Sequence, residues 1–359
     1  MTTNEADGWD LVLEYAVAAS AVAVGWSGYL VDSLKSIGVA LPAALTQSPF
    51  TGGIVNLPAI IIVLGLAEVL LLGTRESTST NFWVVALKVS VIAVFLAAGV
   101  AHLRTSLWHP FLPFGLNGVM HGASIIFFAY IGFDAVATAA EETKDPGRQL
   151  PAGILGSLGL STVLYLSVAL VLTGIVSYRL LDVPSPLSFA LLQHGYKWAG
   201  GIVGLGGLAG LTSVMLVDLF AQSRILYAMG RDGLLPAQLT RLHPRFHTPY
   251  RVILLTGVLV ATAAALLPVQ WIAEMANIGT LAAFVLVSVG VIVLRYTEPQ
   301  RERPFRVPLF PLTPLLTVGA SIYLMANLPR VTWIRFVVWL VIGLLLYFSW
   351  GRHHSELAS

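Results

Sequence analysis

Apolar runs long enough to cross a membrane recur along almost the whole of this sequence. A helix needs about 20 apolar residues to cross the hydrocarbon core. Ten runs approach or exceed that length, at 9–31, 54–73, 82–102, 118–141, 152–176, 198–222, 250–268, 272–295, 308–328 and 331–350. Backbone N–H and C=O groups cannot be left bare in lipid, so spans of this kind are helices. The chain therefore reads as an all-α integral membrane protein forming one membrane domain over 1–359, with short tails at 1–8 and 351–359. Composition agrees. Of the 359 residues, 57% are hydrophobic and 11% charged, where a soluble domain carries about 25% charged residues. The mean hydropathy is +0.82.

The remaining global features narrow the function. A net charge of +2 gives no basis for a nucleic-acid partner. The chain has no cysteine, which excludes disulfides, thiol catalysis and Cys-bound metal. The first ten residues are polar and acidic, and the run behind them is too long for a signal-peptide core, so it is expected to be a true span. Of the 20 Lys and Arg, Lys88 falls within a span. Lys35, Arg104, Arg179, Lys197, Arg330 and Arg335 fall on one side, and all the others on the opposite side. The positive-inside rule then puts both termini in the cytoplasm. Trp9, Trp108, Trp198, Trp271 and Trp333 sit at span ends, where amphipathic rings settle at the membrane interface.

An ionisable group inside a span costs about 2.5–3.5 kcal/mol on insertion scales and marks a functional position by default. Glu14, Glu68, Lys88, Asp134 and Asp218 are such groups. Lys88 either snorkels to the headgroups or serves as a buried lysine that loses and regains a proton. Asp134 follows Gly132 in the run FFAYIGFDAVATAAEE. That glycine is either a packing position or the site of a helix break. Broken helices near the midplane bind ligands through freed backbone groups. Phe128, Tyr130 and Phe133 are placed to wall a cavity there. In AGGIVGLGGLAGLTSVMLVDLF the pairs Gly200/Gly204 and Gly206/Gly210 have the small-xxx-small spacing of close helix packing. Asp218, two turns on, pairs with a cation on another helix or faces a cavity. Glu14 and Glu68 read as buried, Glu68 without an evident reason. The eight histidines are scattered, which argues against a metal site, and no phosphate loop or nucleophile elbow is present.

At the segment FFAYIGFDAVATAAEETKDPGRQLPAGIL, 127–155, the chain resembles the sixth helix and following loop of amino acid permeases of the APC superfamily, most of all the cationic amino acid transporter-like branch. GWDLVLEYAV at 8–17, SRILYAMGRDGLLP at 223–236, NIGTL at 277–281 and FRVPLFPLTPLL at 305–316 extend the resemblance over nearly the whole chain. That family has twelve helices in a 5+5 inverted-repeat fold with two more behind it, and the ten spans match its third to twelfth. Its first two helices, which include the glycine-rich carboxylate-binding break, have no counterpart here.

The resemblance implies a substrate-binding role for Phe128, Ile131, Gly132 and Asp134, and proton coupling through Lys88 with Glu14. Asp218 departs from the apolar or small residue of the family, which implies either a cationic substrate or a pairing with Lys88. The expectation is a proton-coupled amino acid permease of the plasma (inner) membrane, possessing no enzymatic activity. Its partners are an amino acid, protons and membrane lipid, with no cofactor or metal and no defined oligomeric state. The alternative is an inactive fragment or a non-transporting membrane subunit. The sequence leaves open which amino acid is carried and whether the mode is uptake or exchange.

Overall fold

The computed structural model describes residues 3–73, 78–132, 145–231, 233–236, 238–246, 248–300, 303, 305–346 and 348–349. Its α-helices, in chain order, are α1 (Thr3–Ser36), α2 (Leu57–Leu72), α3 (Thr78–Val100), α4 (Gly115–Ile126), α5 (Pro146–Ile175), α6 (Pro186–Gln193), α7 (Lys197–Arg231), α8 (Tyr250–Leu266), α9 (Val269–Thr297), α10 (Leu312–Ala326) and α11 (Arg330–Leu346). Prolines mark many of the starts. Pro58, Pro146 and Pro186 occupy the first turns of α2, α5 and α6, and Pro249, Pro268 and Pro311 directly precede α8, α9 and α10. The first helical N–H has no partner to lose, and the ring presets φ. The start of α2 is further fixed by Asn56, whose Oδ1 accepts from the Ala59 N–H and from the Ser27 hydroxyl at 2.6 Å.

Nine of the ten expected spans fall largely on an α-helix, the span at 118–141 does so only as far as Ile126 among the described residues, and the short α6 appears in addition. Among the described residues, five helices are long and apolar enough to cross a membrane. α2 and α8 are apolar but shorter, and α10 and α11 meet at 114° across a break of at most 4 residues. If that bent pair counts as one broken span the number becomes six. The segment 1–8 continues helix α1 from Thr3 onward. The tail 351–359 lies outside the described residues.

The core sits in separate seams between helices. α1, α2, α7 and α8 enclose Ala19, Ala23, Ala59, Val63, Met215, Val260 and Ala264. Its alanines let backbones approach closely, the usual basis of helix association where lipid is as apolar as the side chains. A second seam, Phe95, Val171, Ile175, Leu191 and Val203, joins α3, α5, α6 and α7. A third, Ile278, Leu281, Met325, Leu328 and Phe336, joins α9 to α10 and α11, with Phe127 packed against it. On α3 and α5, Phe82, Trp83, Leu155, Leu160 and Val163 are exposed, as side chains on a lipid-facing surface are.

Candidate functional site

The expected site residues fall in two places, carried by different helix pairs. The first is the contact between α3 and α7. The aliphatic stem of Lys88 crosses α7 at Gly210, where an added Cβ would lie 3.3 Å from its Cγ. This lets the ammonium reach Ser213, to which Nζ donates at 3.4 Å. The Asp218 carboxylate on α7 interacts electrostatically with the same ammonium. Its Oδ2 is buried and has no hydrogen-bond partner. Of the two readings of Asp218, this interaction fits the pairing with a cation on another helix. The neighbouring Thr212 accepts from the Trp26 indole N–H at 2.9 Å, which ties α1 to the same stretch of α7.

The second place is the end of α4. The sequence predicts one span over 118–141 interrupted at Gly132, whereas the α-helix already stops at Ile126. A 3₁₀ turn follows over Phe127–Tyr130, then Ile131 in an extended conformation (ψ 139°). Gly132 has φ +108°, and a Cβ there would meet nothing within 4 Å. It serves conformation, then, and not packing, since an L-residue is strained at that φ. The freed carbonyls are taken up by side chains. Asn277 Nδ2 on α9 donates to Ser124 O at 2.8 Å and Ile125 O at 2.9 Å, and the Tyr165 hydroxyl on α5 donates to Ala129 O at 2.7 Å. Phe127 meets Phe284 edge-on, and Tyr130 meets Tyr165 in the same way. Phe128 and Ile131 are half-buried, whereas Gly132 is exposed. Asp134 and Phe133 lie outside the described residues.

The other sequence-stated groups divide. Glu14 is buried on α1. Glu68 is exposed on α2, which corrects its expected burial: α2 buries Val63, Leu66, Ala67 and Leu70 instead. The histidines are less scattered than their spacing implies, because His102 after α3 and His194 after α6 meet with ring centroids 5.3 Å apart. His194 Nε2 lies 2.9 Å from Ile175 O.

Sequence reasoning missed Glu274, which lies just inside the span at 272–295. It is buried, accepts from Thr332 Oγ at 2.7 Å and Gln270 Nε2 at 3.2 Å, and lies 3.9 Å from Arg335. The Arg335 guanidinium in turn covers Trp271 at 4.2 Å. A carboxylate two residues from a span start draws little notice, and its partners become visible only once α9 and α11 are packed together.

Comparison with known proteins follows the same lines. A family model described as amino acid permease matches residues 8–351 of the chain. The chain is 44% identical over 352 residues to a methylthioribose transporter of Bacillus subtilis (strain 168), covering 98% of this chain and 76% of that protein. Likewise, it is 44% identical over 355 residues to the branched-chain amino acid permease BcaP of the same organism, with the same coverage of 98% and 76%. Identity is 37% over 304 residues with the vacuolar cationic amino acid transporter 2 of Arabidopsis thaliana, covering 82% of this chain and 48% of that protein.

Proposed function

The chain belongs to the amino acid permease family, and from that premise we propose that it is a secondary active transporter that moves an uncharged amino acid together with protons across the plasma (inner) membrane. Both termini are assigned to the cytoplasm on the distribution of Lys and Arg. Its apolar helices correspond, in this reading, to the third to twelfth of the family. The observation that carries the coupling is the Lys88 ammonium at the contact of α3 with α7, hydrogen-bonded to Ser213 and within electrostatic reach of the buried Asp218.

A proton on Lys88 neutralises the Asp218 charge, and its loss leaves a buried carboxylate without compensation. The two protonation states therefore favour different packings of α3 on α7. That is the differential free energy a coupled conformational change requires. Glu14, buried on α1, belongs to the same proton path. The substrate ammonium is taken up at the end of α4, where the negative end of the helix dipole and carbonyls at a break suit a cation. Phe128, Ile131 and Gly132 belong to that region, and the resemblance adds Asp134 to the substrate-binding set. Asp218 already faces Lys88, which supports an uncharged substrate side chain over a cationic one. The name of the Bacillus branched-chain amino acid permease points the same way.

Melting of the purified protein in detergent tests the substrate class, because a ligand that binds only the folded state stabilises it by about 2.7 kcal/mol at 100 times its Kd. Leucine is expected to raise the melting temperature and arginine to leave it unchanged. A larger shift with arginine would restore the cationic reading. If none of the twenty amino acids shifts the melt, the transporter reading fails.

A further inference from the structure

We propose that Asn277 is the positioning residue of the substrate site, a side chain on α9 that clamps the carbonyl end of the interrupted helix α4. What the clamp is for rests on the permease reading; the clamp itself rests on hydrogen bonds. α4 stops at Ile126, and the last carbonyls of any helix have no partner within it. Inside a membrane domain water does not satisfy them, so another element must. Asn277 does this with a single amide group. Its nitrogen donates to Ser124 O at 2.8 Å and to Ile125 O at 2.9 Å.

The residue is wholly buried, and its bond to Ser124 O is buried with it. Its Oδ1 is buried without a partner, yet the amide cannot turn over, because the oxygen would then face two carbonyl oxygens. The helix that carries it is itself fixed. Ile278 and Leu281 lock α9 into the seam with Met325, Leu328 and Phe336, and one turn earlier Glu274 is bonded to Thr332 of α11. Phe127, the first residue beyond α4, packs against that same seam. The direction in which the chain leaves α4 is therefore set by α9, and with it the direction of the carbonyls that receive a substrate ammonium.

Hydrogen–deuterium exchange on the full chain in detergent separates a clamp from a space-filling side chain. Asn277→Leu keeps the branched shape and removes both donor hydrogens. Amides over 127–131 should then exchange about tenfold faster or more, the effect of losing buried hydrogen bonds worth roughly 1.4 kcal/mol or more. The apparent affinity for leucine, read by thermal shift, should weaken by a similar factor. Asn277→Asp restores one donor hydrogen only when its carboxyl is protonated. Its exchange, relative to wild type at the same pH, should slow as pH is lowered.

Wild-type exchange in the Leu variant would overturn the clamp. Should the Leu variant fail to fold, the Asp variant decides: exchange equal to wild type at every pH would overturn the clamp equally. A wild-type protein that responds to none of the twenty amino acids would sink the transporter reading alone, since the exchange comparison needs no ligand.

Discussion

Glycine performs opposite tasks in α7 and at the end of α4. Along α7, Gly206 lies against Val91 and Gly210 against Lys88 of α3, while Gly207 lies against Tyr29 of α1 and Gly200 against Leu192 of α6. These glycines are helical and serve by being small, so that neighbouring helices and one lysine stem lie flat on the backbone. Gly132 has a φ of +108°, and a Cβ there would meet nothing within 4 Å among the described residues. It serves by being flexible, and the chain around it leaves the helix. The two regions also satisfy polar groups differently: a side-chain charge by another charge in the first, backbone carbonyls by the amide of Asn277 and the hydroxyl of Tyr165 in the second. Proximity without strain builds the part that holds charge, and a strained backbone builds the part that offers carbonyls.

Substitution by alanine should separate these tasks. Gly132→Ala should have the largest effect, placing an L-residue at a φ it rarely adopts. The strain is about 1–3 kcal/mol, and the leucine-induced thermal shift should vanish even in protein that still melts cooperatively. Gly206→Ala comes next, because its Cβ would overlap the Val91 side chain. Overpacking of this kind costs about 1–3 kcal/mol, visible as a lower melting temperature with the leucine shift preserved. Gly210→Ala should be mildest for stability. Its Cβ would sit 3.3 Å from the Lys88 Cγ, and a flexible stem gives way by a few tenths of an ångström. If Gly132→Ala keeps its ligand response while Gly206→Ala loses it, the assignment of the two regions is reversed.

Much of this was legible in the residues, and the limits are physical. The α7 stripe follows from spacing alone, since small residues four apart share one helix face, and the structure places a neighbour over each of its members Gly200, Gly204, Gly206 and Gly210. Span positions follow from hydropathy, and the prolines mark their starts. The break was readable as a break but not at its place. Gly132 is the visible residue, yet the α-helix ends six residues earlier, at Ile126, where Asn277 offers its carbonyls an alternative to the next helical N–H. That offer comes from a residue 152 positions away, beyond any local pattern. Glu68 read as buried because burial of a span residue depends on which face meets a neighbour, and α2 turns Val63, Leu66 and Leu70 inward instead. Asp218 had two readings in the sequence, and its electrostatic interaction with Lys88 emerges only once α3 and α7 are brought together.

The account stands or falls on Lys88 as the group that links protons to substrate. Purified protein reconstituted into vesicles with an alkaline interior should accumulate labelled leucine above its equilibrium level. Lys88→Ala should still bind leucine and bring it to equilibrium, but should not concentrate it. Accumulation by Lys88→Ala equal to that of the wild type would contradict the account, because the gradient would then be coupled through some other group.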